Sequence, residues 1–200
     1  EAAASKALGV PLPGRIGEGA ASGPRAAWKL GPDEWLLHAP EAEETAITAA
    51  FAATAAEHDR DSSFPFENFA ELHRRGLLAL TAPTRLGGLG ADLPTTLKVV
   101  QAVARGEPAT ALVLTMQYLF HASLDGRGGF TDELKARVVS DAVNGGALIN
   151  ALRVEPELGT PARGGLPATI ARRTPDGWSL SGRKIYSTGS PALTWMIVWA

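Results

Sequence analysis

The chain has 200 residues, 45% of them hydrophobic and 20% charged, with a formal net charge of −2. That balance describes an ordinary globular protein of one or two domains and gives no overall pull toward nucleic acid or an anionic membrane. Cysteine is absent, which excludes disulfides, thiolate catalysis and Cys-ligated metals and fits a reducing, cytoplasmic setting. No apolar run approaches the ~20 residues needed to span a bilayer, and no signal-peptide pattern is present. The first residue is Glu1 and the last stretch is the apolar run WMIVWA. An edge so apolar calls for a pairing strand, so the chain reads as a piece of a longer protein.

Residues 1–40 are rich in Gly, Pro and Ala. Within them, Ala26–Leu30 and Glu34–Leu37 flank Gly31-Pro32-Asp33, which predicts a β-hairpin. After Ala39-Pro40 the texture turns helical. Glu41 to His58 are good helix formers, with Glu41, Glu43 and Glu44 in the first turn, where the helix dipole favours acid. Asp59, Arg60 and Asp61 read as a solvated helix end, and Ser62-Ser63-Phe64-Pro65 as a break. Glu67 to Arg75 predicts a short helix closed by Gly76. Leu93 to Arg105 predicts another, with Leu97, Val100 and Ala104 on one stripe. Pro108 suits the first turn of a largely apolar helix, Ala109 to Leu124, that Asp125–Gly129 ends. Thr131 caps a further amphipathic helix. From Gly145 strands take over. Ala168, Ile170 and Arg172 alternate with their neighbours, Asp176-Gly177 marks a hairpin turn, and Trp178 and Leu180 resume the alternation. Ser181-Gly182 reads as a second turn, Ile185 to Thr188 as a strand start, and Thr194 to Ala200 as a final strand.

Four segments in this order carry a family resemblance. They are Ala82-Pro83-x-x-Leu86-Gly87-Gly88-Leu89-Gly90, then Ala102 to Ala111 (AVARGEPATA), then Val154 to Thr160 (VEPELGT), then Gly177 to Gly189 (GWSLSGRKIYSTG). Together they resemble the acyl-CoA dehydrogenase superfamily over about residues 44–200. The resemblance implies an α+β fold: an N-terminal helical bundle followed by an antiparallel β domain, cut off before a C-terminal helical bundle. The expected divisions are 1–40, 41–144 and 145–200. Residues 1–40, through LGVPLP and WKLGPDEWLL, are similar to a piece of the gamma subunit of heterotetrameric sarcosine oxidase, and read as a foreign or remnant segment. Gly87-Gly88-x-Gly90 follows a helix and not a strand, so it reads as a structural turn and not as a dinucleotide loop.

The resemblance also implies chemistry. A flavin needs hydrogen-bond donors at its polar edge and an apolar or aromatic wall on its face. By the family's pattern, Tyr186, Ser187 and Thr188 lie against the flavin, with Val154 beside them and Gly159 and Thr160 as phosphate-side or flavin-edge contacts. The bare alternative is that Tyr186 and Thr188 are strand residues of good β propensity and that Gly159-Thr160 is a plain loop. The implied parent is an FAD-dependent enzyme (FMN is the alternative) of fatty acid metabolism, transferring hydride from an acyl-CoA thioester during α,β-dehydrogenation. An electron-transfer partner and a homo-oligomer go with it. The family's Glu base falls beyond residue 200, and the catalytic residue is unknown within this chain. Val154 stands where the family has Thr and Tyr186 where it has Trp; with Asn150-Ala151, these resemble the reduced-flavin monooxygenases that share the fold. A non-catalytic fusion or scaffold fragment is the remaining reading. His121, on the apolar helix, is the substrate-side candidate, against the plainer reading of a core histidine. The other histidines are scattered without metal-ligand spacing. Arg163, Arg172, Arg173, Arg183 and Lys184 make the β region basic, either for a phosphorylated ligand or as solvated strand faces. No Ser-His-Asp arrangement can be argued from the sequence.

Overall fold

The computed structural model describes residues 11–13, 15, 18–22, 25–31, 34–38, 41–126, 129–158 and 164–200, with the side chains of 25–31, 34–38 and 41–45 left aside. The turn expected at Pro32-Asp33, the boundary at Ala39-Pro40 and the residues Gly159, Thr160 and Arg163 lie outside the described residues. Contacts divide the chain into two units, Glu1–Ala147 and Leu148–Ala200.

In the first unit, β1 (Gly19–Ser22), β2 (Arg25–Gly31) and β3 (Glu34–His38) form an antiparallel sheet in that order. Five helices follow: α1 (Glu41–Asp61), α2 (Phe66–Arg74), α3 (Leu93–Gly106), α4 (Pro108–Ala122) and α5 (Asp132–Gly145). Their ends are set by local chemistry. The Asp92 carboxylate accepts from the Thr95 N–H at 2.9 Å, and the Thr131 hydroxyl from Leu134 N–H at 3.2 Å, so exposed helix donors are capped. Glu107, almost fully buried, caps α4 through the Ala109 and Thr110 N–H groups, and Pro108 begins the helix without a donor to satisfy. α1 runs three residues past the expected His58, because Asp59–Asp61 continue its last turn.

The core of this unit gathers Phe51, Leu72, Leu78, Val103, Leu114 and Val139, all at 2% exposure or less. α1 packs on α3 and α3 on α4. α4 is apolar nearly all round, yet Leu112 and Leu119 are exposed while Leu114, Gln117, Tyr118 and His121 face inward. The Gly-rich loop is a structural turn, as its context requires. A Cβ on Gly88 would stand 2.1 Å from the Ala82 carbonyl oxygen, so the chain closes there only with glycine.

In the second unit, β4 (Leu148–Leu152) pairs with β7 (Leu193–Val198), and β5 (Ile170–Thr174) with β6 (Gly177–Ser181). β5 and β6 are antiparallel, but β4 and β7 run parallel. The long connection between them permits this, whereas a short turn would impose an antiparallel pair. Three local expectations are corrected. The hairpin turn is Pro175-Asp176, not Asp176-Gly177: Thr174 pairs with Gly177, and the proline's fixed φ suits the first turn position. Residues 185–188 are not a strand but lead into consecutive turns. Nor is Ser181-Gly182 a turn. Gly182 is needed because a Cβ there would meet Thr169 Oγ1 at 2.2 Å.

Candidate functional site

In the second unit the chain leaves β4 through Val154, and the segment after Lys184 returns to it. The Ile185 N–H donates to the Val154 carbonyl at 3.0 Å. The Asn150 Nδ2 donates to the Thr188 carbonyl at 2.8 Å, while its Oδ1 accepts from the Ala151 N–H at 2.7 Å. Between these anchors the backbone turns tightly: Thr188 N–H donates to Tyr186 carbonyl at 3.0 Å, and Ser190 N–H to Ser187 carbonyl at 2.9 Å. Tyr186 takes φ +53°, the left-handed region, with its ring 85% exposed. Val154, Tyr186, Ser187 and Thr188 are thus brought together. The hydroxyls of Ser187 and Thr188 meet no partner among the described residues, which leaves two donors beside an exposed aromatic ring. Among the described residues that donor set fits the polar edge of a flavin ring. Asn150 was not read as an anchor in the sequence. The signal was there, a lone amide inside the apolar strand LINAL, but its partner lies 38 residues away.

The left-handed Tyr186 costs about 1–2 kcal/mol relative to an ordinary conformation. Its exposed ring contributes little packing in return. Tyr186→Gly is therefore expected to stabilise the second unit by roughly 0.5–1 kcal/mol after glycine's unfolded-state entropy is discounted, read from thermal unfolding. An unchanged or lowered stability would mean the ring packs against something that offsets the strain.

The same unit holds a buried ionic network at the residues just before this turn. The Glu155 carboxylate accepts from Lys184 Nζ at 2.7 Å, from the Ala168 and Thr169 N–H groups at 2.6 and 3.0 Å, and from Thr169 Oγ1 at 2.5 Å. Lys184 Nζ also donates to the Trp199 carbonyl at 2.6 Å and sits 5.8 Å from that ring's centroid. The two charged side chains are 4% and 8% exposed. The Lys184 and Thr169 bonds hold the Glu155 carboxyl down at about 2. A cleft of about 400 Å³ opens beside the network, lined by Glu155, Leu158, Leu166, Gly182 and Arg183 among others. Of the basic residues, Lys184 is therefore committed inside, whereas Arg173 lies 6.0 Å from the centroid of the Trp178 ring across the β5–β6 hairpin.

His121 lies in the core of the first unit at 0% exposure. The Tyr118 hydroxyl lacks a hydrogen-bond partner among the described residues, and the His121 ring nitrogens make no well-formed bond, with only the Leu78 backbone near enough to oppose the effect of burial. Burial pushes the imidazole down to about 4 and the Tyr118 phenol up. Neighbouring Gln117 donates to the Leu78 and Ala147 carbonyls, both at 3.1 Å. Because the folded state holds His121 below its usual value near 6.5, the unfolded chain takes up the proton first. Stability from this residue is complete above about pH 6.5 and is lost as pH falls toward 4, by up to about 3 kcal/mol. His121→Leu should flatten stability between pH 4 and 6.5; an unaltered pH profile would show that the ring is solvated. A cleft of about 410 Å³ in this unit, lined by His73, Arg74, Leu78, Leu89 and Val143 among others, contains none of the expected flavin-side residues. Among the described residues no group of three or more His, Asp or Glu side chains could hold a metal ion, and no helix is long and apolar enough to cross a membrane.

The chain is thus a helical unit followed in sequence by a small sheet-bearing unit. Residues 41–146 match the family model of the acyl-CoA dehydrogenase N-terminal domain, and the chain belongs to the acyl-CoA dehydrogenase family. It is 36% identical over 154 residues to the putative acyl-CoA dehydrogenase YdbM of Bacillus subtilis, covering 77% of this chain and 40% of that protein. It is 32% identical over 161 residues to an L-evernosamine nitrososynthase of Micromonospora, covering 74% and 35%. Among solved structures, KijD3 in complex with FMN and a dTDP-linked amino keto sugar superposes with a TM-score of 0.65 at 32% identity, covering 78% of this chain and 38% of that one. The chain spans well under half the length of these relatives.

Proposed function

We propose that the full-length protein is a flavin-dependent oxidoreductase and that the turn at residues 185–189 meets the edge of the flavin. The observation that carries this reading is the Asn150-anchored turn, which offers the Ser187 and Thr188 hydroxyls beside the Tyr186 ring. When bound, the flavin supplies two-electron redox chemistry. The chain's own part is to hold it: Thr188 and Ser187 donate to the polar edge of the ring, Tyr186 forms an aromatic wall, and Val154 flanks them. Gly159 and Thr160 remain proposed phosphate-side contacts, and His121 the proposed substrate-side residue.

FAD is the first choice of cofactor. FMN is the alternative, supported by the FMN-bound relative. The reaction we favour is α,β-dehydrogenation of an acyl-CoA thioester, in keeping with the family and with YdbM. Its base, needed to take the α proton, is expected outside residues 1–200. A cytoplasmic homo-oligomer with an electron-transfer partner belongs to the same reading. A specific observation favours a second reading, a reduced-flavin monooxygenase: Val154 and Tyr186 replace the family's Thr and Trp, and a nitrososynthase is among the relatives, at 32% identity against 36% for YdbM. Adding acyl-CoAs anaerobically to the purified full-length protein separates the two. Bleaching of the bound flavin's visible absorbance supports dehydrogenation. A flavin that stays oxidised with every acyl-CoA, yet consumes oxygen once reduced, sinks that reaction and leaves the monooxygenase.

A further inference from the structure

The end of α1 and the start of α2 bring three side chains into one chain of hydrogen bonds. Ser63 Oγ lies 2.7 Å from His58 Nδ1, and Glu67 Oε1 lies 2.5 Å from His58 Nε2. Glu67 is held ionised: partial burial would raise its carboxyl, but bonds from its own N–H and from His58 outweigh that and lower it. A carboxylate can only accept, so it fixes the proton on Nε2. In the neutral imidazole Nδ1 is then the bare nitrogen, to which the Ser63 hydroxyl donates. Three further observations surround the serine. Ser62, just before it, has φ +52°, a left-handed conformation that costs energy for a residue with a side chain. The next N–H, that of Phe64, meets no acceptor among the described residues. Phe64 stands 4.9 Å from Phe66 edge-to-face, and Phe66 is 56% exposed, so an apolar surface adjoins the hydroxyl.

We propose that Ser63, His58 and Glu67 form a nucleophilic site that cleaves carboxylic esters bearing an apolar acyl or aryl group, independently of any flavin chemistry. The arrangement has the parts such a reaction needs: a nucleophile on a strained turn, a base within hydrogen-bond reach, a carboxylate orienting the base, and an N–H directly after the nucleophile. Here the base is Nδ1 and the oriented nitrogen Nε2, the reverse of the usual assignment. Ser63 Oγ attacks the ester carbonyl carbon while its proton passes to Nδ1. The oxygen that gains charge accepts the Phe64 N–H. Collapse breaks the bond to the alcohol, which leaves with the proton from Nδ1 and leaves an acylated Ser63. Water, giving a proton to the same nitrogen, then attacks the acyl carbon, and the carboxylic acid departs as Ser63 recovers its hydrogen. The net change is ester plus water to acid plus alcohol. His58 and Ser63 touch the reacting atoms; Glu67 acts through His58 and is a positioning residue.

The full-length protein is incubated with a fluorophosphonate probe and with p-nitrophenyl acetate, and the probe's attachment is mapped by peptide mass. The expected result is attachment at Ser63, abolished at that position in Ser63→Ala together with the ester turnover above background. His58→Gln should slow labelling at least about tenfold. Glu67→Gln should lower the labelling rate at saturating probe without changing the probe concentration that gives half the maximal rate. All three side chains lie at the protein's periphery, and matching melting curves establish that each variant is folded. Absence of probe from Ser63, or undiminished ester turnover in Ser63→Ala, overturns the site. Undiminished labelling in a folded His58→Gln overturns the assignment of the base.

Discussion

Glu155→Ala is expected to unfold the Leu148–Ala200 unit while the helices of the first unit persist. The carboxylate collects four donors from three residues in two segments, Ala168–Thr169 and Lys184, and among the described residues Lys184, 8% exposed, has only the Trp199 carbonyl as a further hydrogen-bond acceptor. Removing the acid leaves a buried ammonium and the buried Thr169 N–H without it, and a buried charge stripped of its partner is among the costlier single losses. Hydrogen exchange checks this: amide protection across β5 and β6 should fall at least about a hundredfold, with protection in α4 unchanged. Exchanging both partners for apolar residues, Glu155→Leu with Lys184→Met, should cost less than Glu155→Ala alone, because no charge is then stranded. The acid limb follows with a definite sign. The folded carboxyl sits at about 2, below its ordinary 4.5, so its contribution is complete above pH 4.5 and disappears as pH falls toward 2. Equal protection in Glu155→Ala and the parent would show that the network is incidental to the fold.

The second large effect is at the crossing of α1 and α3. A Cβ on Gly106 would lie 2.5 Å from the Thr48 carbonyl oxygen and 3.0 Å from Phe51 Cβ. Thr48 Oγ1 already donates to the Ala102 carbonyl at 3.0 Å, which fixes the helices at that separation. Alanine's helix propensity would favour Gly106→Ala by at most about 1 kcal/mol. Forcing the crossing apart works against it by about 1–3 kcal/mol or more, and the obstacle is backbone that cannot swing aside. The net result expected is destabilisation, larger still for Gly106→Val. Gly145, at the end of α5, has nothing within 4 Å of its would-be Cβ, so Gly145→Ala should stabilise by roughly 0.4–1 kcal/mol. Urea melts of the two variants should move in opposite directions; a shift in the same direction would refute the close-crossing account.

The helical half was largely legible because its punctuation is local. Thr131, Pro108 and Gly76 act on residues one to four positions away, and the helix ends beside them fall where they point. The sheet half was less so. Asp176-Gly177 is a strong turn pair, but Pro175 moved the turn back by one residue and Gly177 became a strand position. Ile185 to Thr188 has the β propensity of a strand, and tertiary anchors at Val154 and Asn150 bend it into turns instead. The grouping of Val154 with 186–188 came from a family pattern and not from spacing. The Asn150 anchor and the Glu155–Lys184 pair, 29 residues apart, depend on which segments meet in space. His58, Ser63 and Glu67 are close in sequence, yet only the geometry of a helix end turns their side chains toward one another.

The most direct test of the account is flavin titration of the full-length protein beside its Thr188→Val variant, followed by flavin fluorescence. The account predicts saturable binding by the parent and an affinity about tenfold lower in the variant, the worth of one lost hydrogen bond. Binding of equal strength by the two proteins, or none by either, would contradict the placement of the flavin edge at the 185–189 turn.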